Sequence, residues 1–170
     1  GRLNALELNG HATDKIELIV MGGTFSCLPK KYQKEFITEC FRACNDYPHH
    51  ATNDSSTDET GKQQATSLDL LLEKEQRRNE KAKHRIIGLT LETRPDYVDG
   101  KEIWNFRKLG ATRVELGVQS IFNEVLQKNK RGHLVEETVR ATKLLKDAGF
   151  KINYHIMPGL WGSTPQKDYF

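Results

Sequence analysis

The chain has 170 residues, with 26 Lys+Arg against 23 Asp+Glu and a formal net charge of +3, which is long enough for one domain with a real core. A charge this small argues for no particular partner, and no apolar run approaches the roughly 20 residues of a membrane helix, so no membrane association is expected. Three cysteines without an N-terminal secretory signal argue for a reducing compartment, the cytoplasm by default, and against a disulfide framework.

The helical stretch RLNALELNG (2–10) leads into an apolar strand in KIELIVMGG (15–23), then the turn GGTFSCLP (22–29) and the helical KKYQKEFITECFRACND (30–46), together one βα unit. Gly22 and Gly23 follow the strand, where paired glycines let a ligand approach the backbone. A Gly-Gly is as readily a plain tight turn, and it matches neither Gly-rich phosphate fingerprint. Cys40 and Cys44 with His49 and His50 invite a metal reading, but residues four apart on an amphipathic helix are ordinary core neighbours, and a third thiolate is missing. Cys27 is isolated and reads as inert.

The stretch at 47–67, which opens YPHHATNDSSTDETG, is nearly devoid of apolar side chains and cannot offset its ordering entropy, so it reads as a loop insert. Ser67 is a plausible cap for the helical SLDLLLEKEQRRNEKAKH (67–84), and RIIGLTLETRPD (85–96) gives a second strand closed by an X-Pro turn, in which Asp96 could cap the next helix. The alternation then becomes regular: helix VDGKEIWNFRKLG (98–110) ending at Gly110, strand TRVELGVQS (112–120), helix LVEETVRATKLLKDAG (134–149) ending at Gly149, and strand KINYHIMPG (151–159). PQKDYF (165–170) reads as the start of a further helix, and the chain as a piece of a longer protein. Residues 101–151 carry eleven Lys/Arg against six Asp/Glu, a bias that could attract a polyanion or could be an ordinary solvated helical surface.

Strands separated by helices pair in parallel through right-handed crossovers. Read in register, Ile87, Leu89, Leu91, then Val114, Leu116, Val118, then Ile152, Tyr154, Ile156 face the helices. Gly88, Thr90, Glu92, then Glu115, Gly117, Gln119, then Asn153, His155, Met157 face the other way. Buried polar groups must be paired or bind something. A full or partial barrel lumen provides such a space, and a flat doubly wound sheet with a few internally bonded polar residues is the alternative. Glu92, Gln119 and His155 each stand at a strand's carboxyl end, where sites on parallel α/β folds are built. Arg131, in NKRGH (129–133), lies in a connection from which a guanidinium can reach a carboxylate. Lys15, ahead of the first strand, is by default a solvated flank.

Taken together and in order, DKIELIVMGGTF, GLTLETRPDYV, GATRVELGVQS, NKRGH and GFKINYHIMPGLWGST resemble the radical S-adenosylmethionine (SAM) domain of the Elongator catalytic-subunit family, tRNA uridine carboxymethyltransferases that use acetyl-CoA. The resemblance implies an α/β fold, a partial (βα) TIM-like barrel of the radical SAM type with parallel strands, truncated at both ends, holding SAM and a 4Fe–4S cluster at the strands' carboxyl ends. It implies tRNA as partner, Elongator-type subunits or a homodimer as further partners, and carboxymethylation of the wobble uridine by SAM-derived radical chemistry on the acetyl group of acetyl-CoA.

Position by position, it implies that Gly22, Gly23 and Thr24 meet the methionyl amino group of SAM, that Glu92 and Gln119 contact SAM, that Arg131 suits its carboxylate, and that His155 can face the adenosyl moiety. Lys15 corresponds to a lysine associated with acetyl-CoA. The family's cluster cysteines lie upstream of the first strand and its acetyltransferase-like domain downstream, so no iron ligand is expected in this chain and no turnover by it alone. Trp161 replaces the family's usual Pro in PGLPGST. Two other readings stay open: another radical SAM enzyme akin to coproporphyrinogen dehydrogenase, which shares a GVQS-like strand, and a non-catalytic barrel that binds RNA or a protein.

Overall fold

The structure, a computed structural model, describes residues 1–48 and 67–169. Its elements run α1 (Arg2–Leu8), β1 (Lys15–Val20), α2 (Lys30–Asp46), α3 (Leu68–Asn79), β2 (Arg85–Thr93), α4 (Gly100–Leu109), β3 (Arg113–Gln119), α5 (Asn123–Lys128), α6 (Val135–Asp147), β4 (Lys151–Ile156) and α7 (Pro165–Asp168). Short 3-10 turns occupy Phe25–Cys27 and Pro95–Tyr97. The strands form one sheet in the order β1-β2-β3-β4, and β3 pairs in parallel with both β2 and β4. This is the expected parallel α/β arrangement, with each crossover carrying a helix.

The chain divides into two compact units. The first takes in 1–17 and 29–87, the second 18–28 and 88–170. In the first, α2 packs on α3 with Ile37, Phe41 and Leu72 buried between polar borders. Asn45 Nδ2 donates to Glu75 Oε2 (2.8 Å), and Asn79 Nδ2 donates to Asn45 Oδ1 (2.7 Å), while Asn79 Oδ1 accepts from the Ile86 N–H (2.7 Å). Ser67 stands at the start of α3 as expected, but its side chain makes no capping bond. The insert at 47–67 falls largely outside the described residues, as do His49 and His50.

In the second unit the core is Leu89, Leu91, Val98, Phe106, Leu109, Val114, Leu116, Val118, Val125, Leu126, Ala141 and Leu145. Burying one such aliphatic side chain contributes about 1.5–3 kcal/mol. Helix α4 starts on Asp99, whose carboxylate accepts from the Glu102 N–H (2.7 Å), and ends on Gly110 at φ +87. Asp96 does not cap that helix; it holds the Arg94 guanidinium with two bonds, 3.0 and 2.7 Å. Three strand positions expected to face the helices are exposed: Ile87, Tyr154, whose hydroxyl lies 2.7 Å from Thr142 Oγ1, and Ile156. Ile87 precedes the point, Thr90, where β2 begins to pair with β3, and Ile156 lies on β4, which has a neighbour on one side.

Candidate functional site

The ladder register places Glu92 opposite Glu115 and Glu115 opposite Asn153, a row running across β2, β3 and β4. Like charges side by side in a sheet repel. His155 lies two residues beyond Asn153, on the same face of β4, and its ring sits between the two carboxylates. Nδ1 is 3.2 Å from Glu92 Oε1, and Nε2 is 2.8 Å from Glu115 Oε2. The imidazole is thus within hydrogen-bond distance of both acids. Asn153 Nδ2 donates to the other oxygen of Glu115 (3.2 Å), and the Gly22 N–H to the other oxygen of Glu92 (3.4 Å). Burial is deepest in the middle strand: Glu115 on β3 is 10% exposed, against 20% for Glu92 on β2 and 32% for His155 on β4. The polar face is thus open along β4, where Asn153 and Met157 are exposed, rather than fully enclosed.

The glycine turn that supplies one of these bonds has φ +121 at Gly22 and +116 at Gly23, and no atom lies within 4 Å of where a Cβ would stand on either. Only glycine holds that backbone without strain, and the turn stays open to approach. Thr24 follows, half-buried. The next turn is tied to the end of β2 by Ser26 Oγ and Thr93 Oγ1, 2.8 Å apart and buried.

Gln119 breaks the simple alternation. It ends β3 at φ +69, beyond a register shift that begins at Leu116, and its carbonyl accepts from the Met157 N–H (2.9 Å). Its amide folds back over Gly117, where an added Cβ would stand 2.9 Å from Nε2. Its Oε1 is buried without a hydrogen-bond partner, as are Thr90 Oγ1 on the same face and Arg131 Nε in the α5–α6 connection. Unsatisfied buried polar atoms are costly and scarce in folded proteins. Gln119 Oε1, at the end of β3, is an acceptor that a polar ligand would satisfy, whereas Thr90 stands opposite Arg113 at the start of that strand.

Gly22, Gly23, Thr24, Glu92, Gln119, Arg131 and His155 all belong to the second unit, and direct bonds join Gly22, Glu92 and His155. Lys15 is the exposed first residue of β1, in the first unit. The sequence reading missed Glu115 and Asn153 as members of the site. Alternation had placed both on the polar face, but only the register shows that they stand in one row with Glu92. Among the described residues no three His, Cys, Asp or Glu side chains are grouped to hold a metal ion. Cys40 and Cys44 are half-buried helix neighbours. Burial pushes the Cys40 thiol up to about 11 and raises that of Cys44, the opposite of what a metal-binding thiolate needs.

A family model described as the radical SAM superfamily matches residues 3–167. A Methanocaldococcus infernus protein named tRNA uridine(34) acetyltransferase is 50% identical over 167 residues, covering 98% of this chain and 28% of its own length. Elongator complex protein 3 of Drosophila melanogaster is 38% identical over 159 residues, covering 94% of this chain and 25% of its own. A solved structure of the archaeal Methanocaldococcus infernus Elp3 with an N-terminal deletion superposes with a TM-score of 0.81 at 50% identity, covering 98% of this chain and 34% of that one. The chain therefore spans about a quarter to a third of the proteins it resembles. With the match running almost end to end and the glycine turn, Glu92 and Gln119 at the carboxyl ends of successive parallel strands, the chain belongs to the radical SAM superfamily.

Proposed function

We propose that this chain is the SAM-binding partial barrel of an enzyme that carboxymethylates the wobble uridine of tRNA, with acetyl-CoA as co-substrate, in the cytoplasm. The observation that carries the reading is 50% identity over 98% of the chain to a protein named tRNA uridine(34) acetyltransferase, together with a polar face whose unsatisfied atoms suit a polar, zwitterionic ligand.

Superfamily membership brings SAM and a 4Fe–4S cluster with it. The residues fit SAM: Gly22 and Gly23 leave backbone open for its amino group beside Thr24, Arg131 has an unused donor for its carboxylate, and Gln119 Oε1 is an unused acceptor for a hydroxyl or amine. When bound, SAM supplies one-electron, hydrogen-abstracting chemistry. The protein's own part is to bind and orient. Glu92, already engaged by the Gly22 N–H and His155, fixes the glycine turn as much as it contacts ligand. His155, locked between two acids, keeps a single ring orientation towards the adenosyl end. We place the cluster ligands in segments of the whole protein outside this chain, and Lys15 on the acetyl-CoA side. Elongator-type subunits or a second copy complete the assembly.

The experiment is mass spectrometry of nucleosides from tRNA incubated with the full-length protein, SAM, acetyl-CoA and a reductant. Carboxymethylation of the wobble uridine that requires both small molecules is the expected outcome. SAM cleavage with no change in any uridine would sink the reading and favour another radical SAM reaction, and no SAM binding at all would favour a non-catalytic barrel.

A further inference from the structure

His133, in the connection between α5 and α6, is 4% exposed, and its ring reaches the strand end that carries Gln119. Its Nε2 lies 3.2 Å from the Val118 carbonyl. A carbonyl can only accept, so Nε2 carries the hydrogen and donates it. The other ring nitrogen, Nδ1, is buried without a hydrogen-bond partner, which leaves the bond to Val118 as the ring's polar tether. The connection that delivers the ring is itself fixed. The Arg131 N–H donates to the Leu126 carbonyl (3.1 Å), the Leu134 N–H to Glu137 Oε2 (2.8 Å) and the Val135 N–H to Asn123 Oδ1 (2.8 Å).

The Val118 carbonyl is not an ordinary ladder acceptor. Pairing of β3 with β2 ends at Leu116, and beyond it the Ser120 N–H donates to the Val118 carbonyl across a single residue (2.9 Å). A bond that spans one residue, with that residue at positive φ, makes a γ-turn of the rare and strained kind. The residue spanned is Gln119, at φ +69. Such a backbone persists only where its surroundings hold it. Two groups from outside the turn do so: the Met157 N–H, 2.9 Å from the Gln119 carbonyl, and His133, on the second lone pair of the Val118 carbonyl. The turn also decides where the Gln119 amide goes. It lies back over Gly117, where an added Cβ would stand 2.9 Å from Nε2, and its Oε1 is buried and unpaired. A relaxed, extended backbone at residue 119 would start the side chain in another direction.

We propose that His133 is a positioning residue for the SAM site: its Nε2–H, bonded to the Val118 carbonyl, holds the γ-turn that aims the Gln119 amide at the ligand. The inference rests on the assignment of Gln119 to SAM under the proposed function and adds to it a residue that touches no ligand. If His133 only filled space between β3 and the connection, any side chain of similar size would serve. A positioning role requires an N–H at the place of Nε2, which a glutamine side chain supplies and an asparagine side chain, shorter by a methylene, does not.

The test is calorimetric SAM affinity of the full-length, cluster-loaded protein. His133→Leu and His133→Asn should each weaken SAM binding roughly five- to tenfold, as expected for one lost hydrogen bond, while His133→Gln should stay within about threefold of the wild type. In a double-mutant cycle, His133→Leu added to Gln119→Ala should cost nothing further, within about twofold, because the side chain being aimed is gone. Should His133→Leu fail to fold, His133→Gln against His133→Asn decides. Equal affinities for those two, or a His133→Leu loss that adds in full to that of Gln119→Ala, overturn the inference and leave His133 a packing role. So does wild-type affinity in His133→Leu. SAM binding unaffected by Gln119→Ala overturns it together with the assignment of Gln119, and no SAM binding by the wild type overturns the functional reading as well.

Discussion

His155 Nε2 and Glu115 Oε2 lie 2.8 Å apart across two adjacent parallel strands, and this contact ties β4 to the row of Glu92, Glu115 and Asn153. Glu115 is the more buried partner, and it is also bonded to Asn153. Replacing it by Ala takes a partner from Asn153 and leaves the imidazole held by Glu92 alone, so that the ring is less firmly oriented. Glu115→Ala is therefore expected to weaken SAM binding by the full-length protein about tenfold without removing a ligand contact. In a double-mutant cycle with His155→Ala, the coupling should be about 1–3 kcal/mol. Additive losses would show that His155 is oriented by something other than Glu115.

Gln119 separates fold from function. Its Oε1 is buried and unsatisfied, so Gln119→Ala removes a desolvation cost and should change the stability of the ligand-free protein by less than about 1 kcal/mol, while SAM affinity falls at least tenfold. Gln119→Gly should be the more stable of the two variants by roughly 0.5–1 kcal/mol, since glycine accepts φ +69 without strain. Gly117→Ala tests the same amide from beneath. The added methyl at 2.9 Å displaces the flexible end of Gln119, and SAM affinity should drop although residue 119 is unchanged. Calorimetry on the three variants checks this, and equal SAM affinity throughout would remove Gln119 from the site.

Much of this was legible in the sequence, because period-2 alternation and helix punctuation report on backbone and burial. The order of strands and helices, the capping glycines Gly110 and Gly149 and the shared face of Glu92 and His155 follow from local pattern. What was not legible depends on pairs distant in the chain. No local pattern gives the register that aligns Glu92, Glu115 and Asn153, the bulge that turns Gln119 to positive φ, or the Arg94–Asp96 bond that replaces the expected cap. Helix α5 was missed because six residues, NEVLQK, are too few to show a helical period.

The motifs ETRPD and NKRGH meet at Arg94 and Gly132. Arg94, held by Asp96 and stacked 5.4 Å over the Tyr97 ring, lies so close to Gly132 that an added Cβ would be 2.6 Å from its Nη2. Gly132 also has φ +76. Gly132→Ala should destabilise the protein by about 1–2 kcal/mol, and hydrogen exchange should rise first in the connection before α6 that carries Arg131. Unchanged protection there would mean that Arg94 moves aside at no cost.

Thiol labelling checks the two half-buried cysteines. With its thiol raised to about 11 by burial, Cys40 is about a thousandth thiolate at pH 8, and Cys44 is shifted the same way. Iodoacetamide at pH 8 should therefore modify the exposed Cys27 well before either of them. The native state holds the Cys40 proton more tightly than the unfolded chain, so this contribution to stability is complete below the ordinary thiol value of 9.0 and is lost as pH rises towards 11. Rapid modification of Cys40 in the native protein would show that α2 opens.

Helix α6 lies in the basic stretch noted in the sequence but itself balances Arg140, Lys143 and Lys146 against Glu136, Glu137 and Asp147, and the structure distinguishes its two lysines. Lys143 Nζ is 2.6 Å from Asp147 Oδ2, so part of its charge is already answered on the helix surface. Lys146, in the last turn of the same helix, has no such ion pair among the described residues. If this face meets RNA phosphates, Lys146→Glu should reduce tRNA affinity and flatten its salt dependence by at least one counterion, and Lys143→Glu should do so less, because Asp147 already offsets that charge. Equal affinities and slopes for both variants and the wild type, measured from 50 to roughly 200 mM salt, would make α6 a solvated surface.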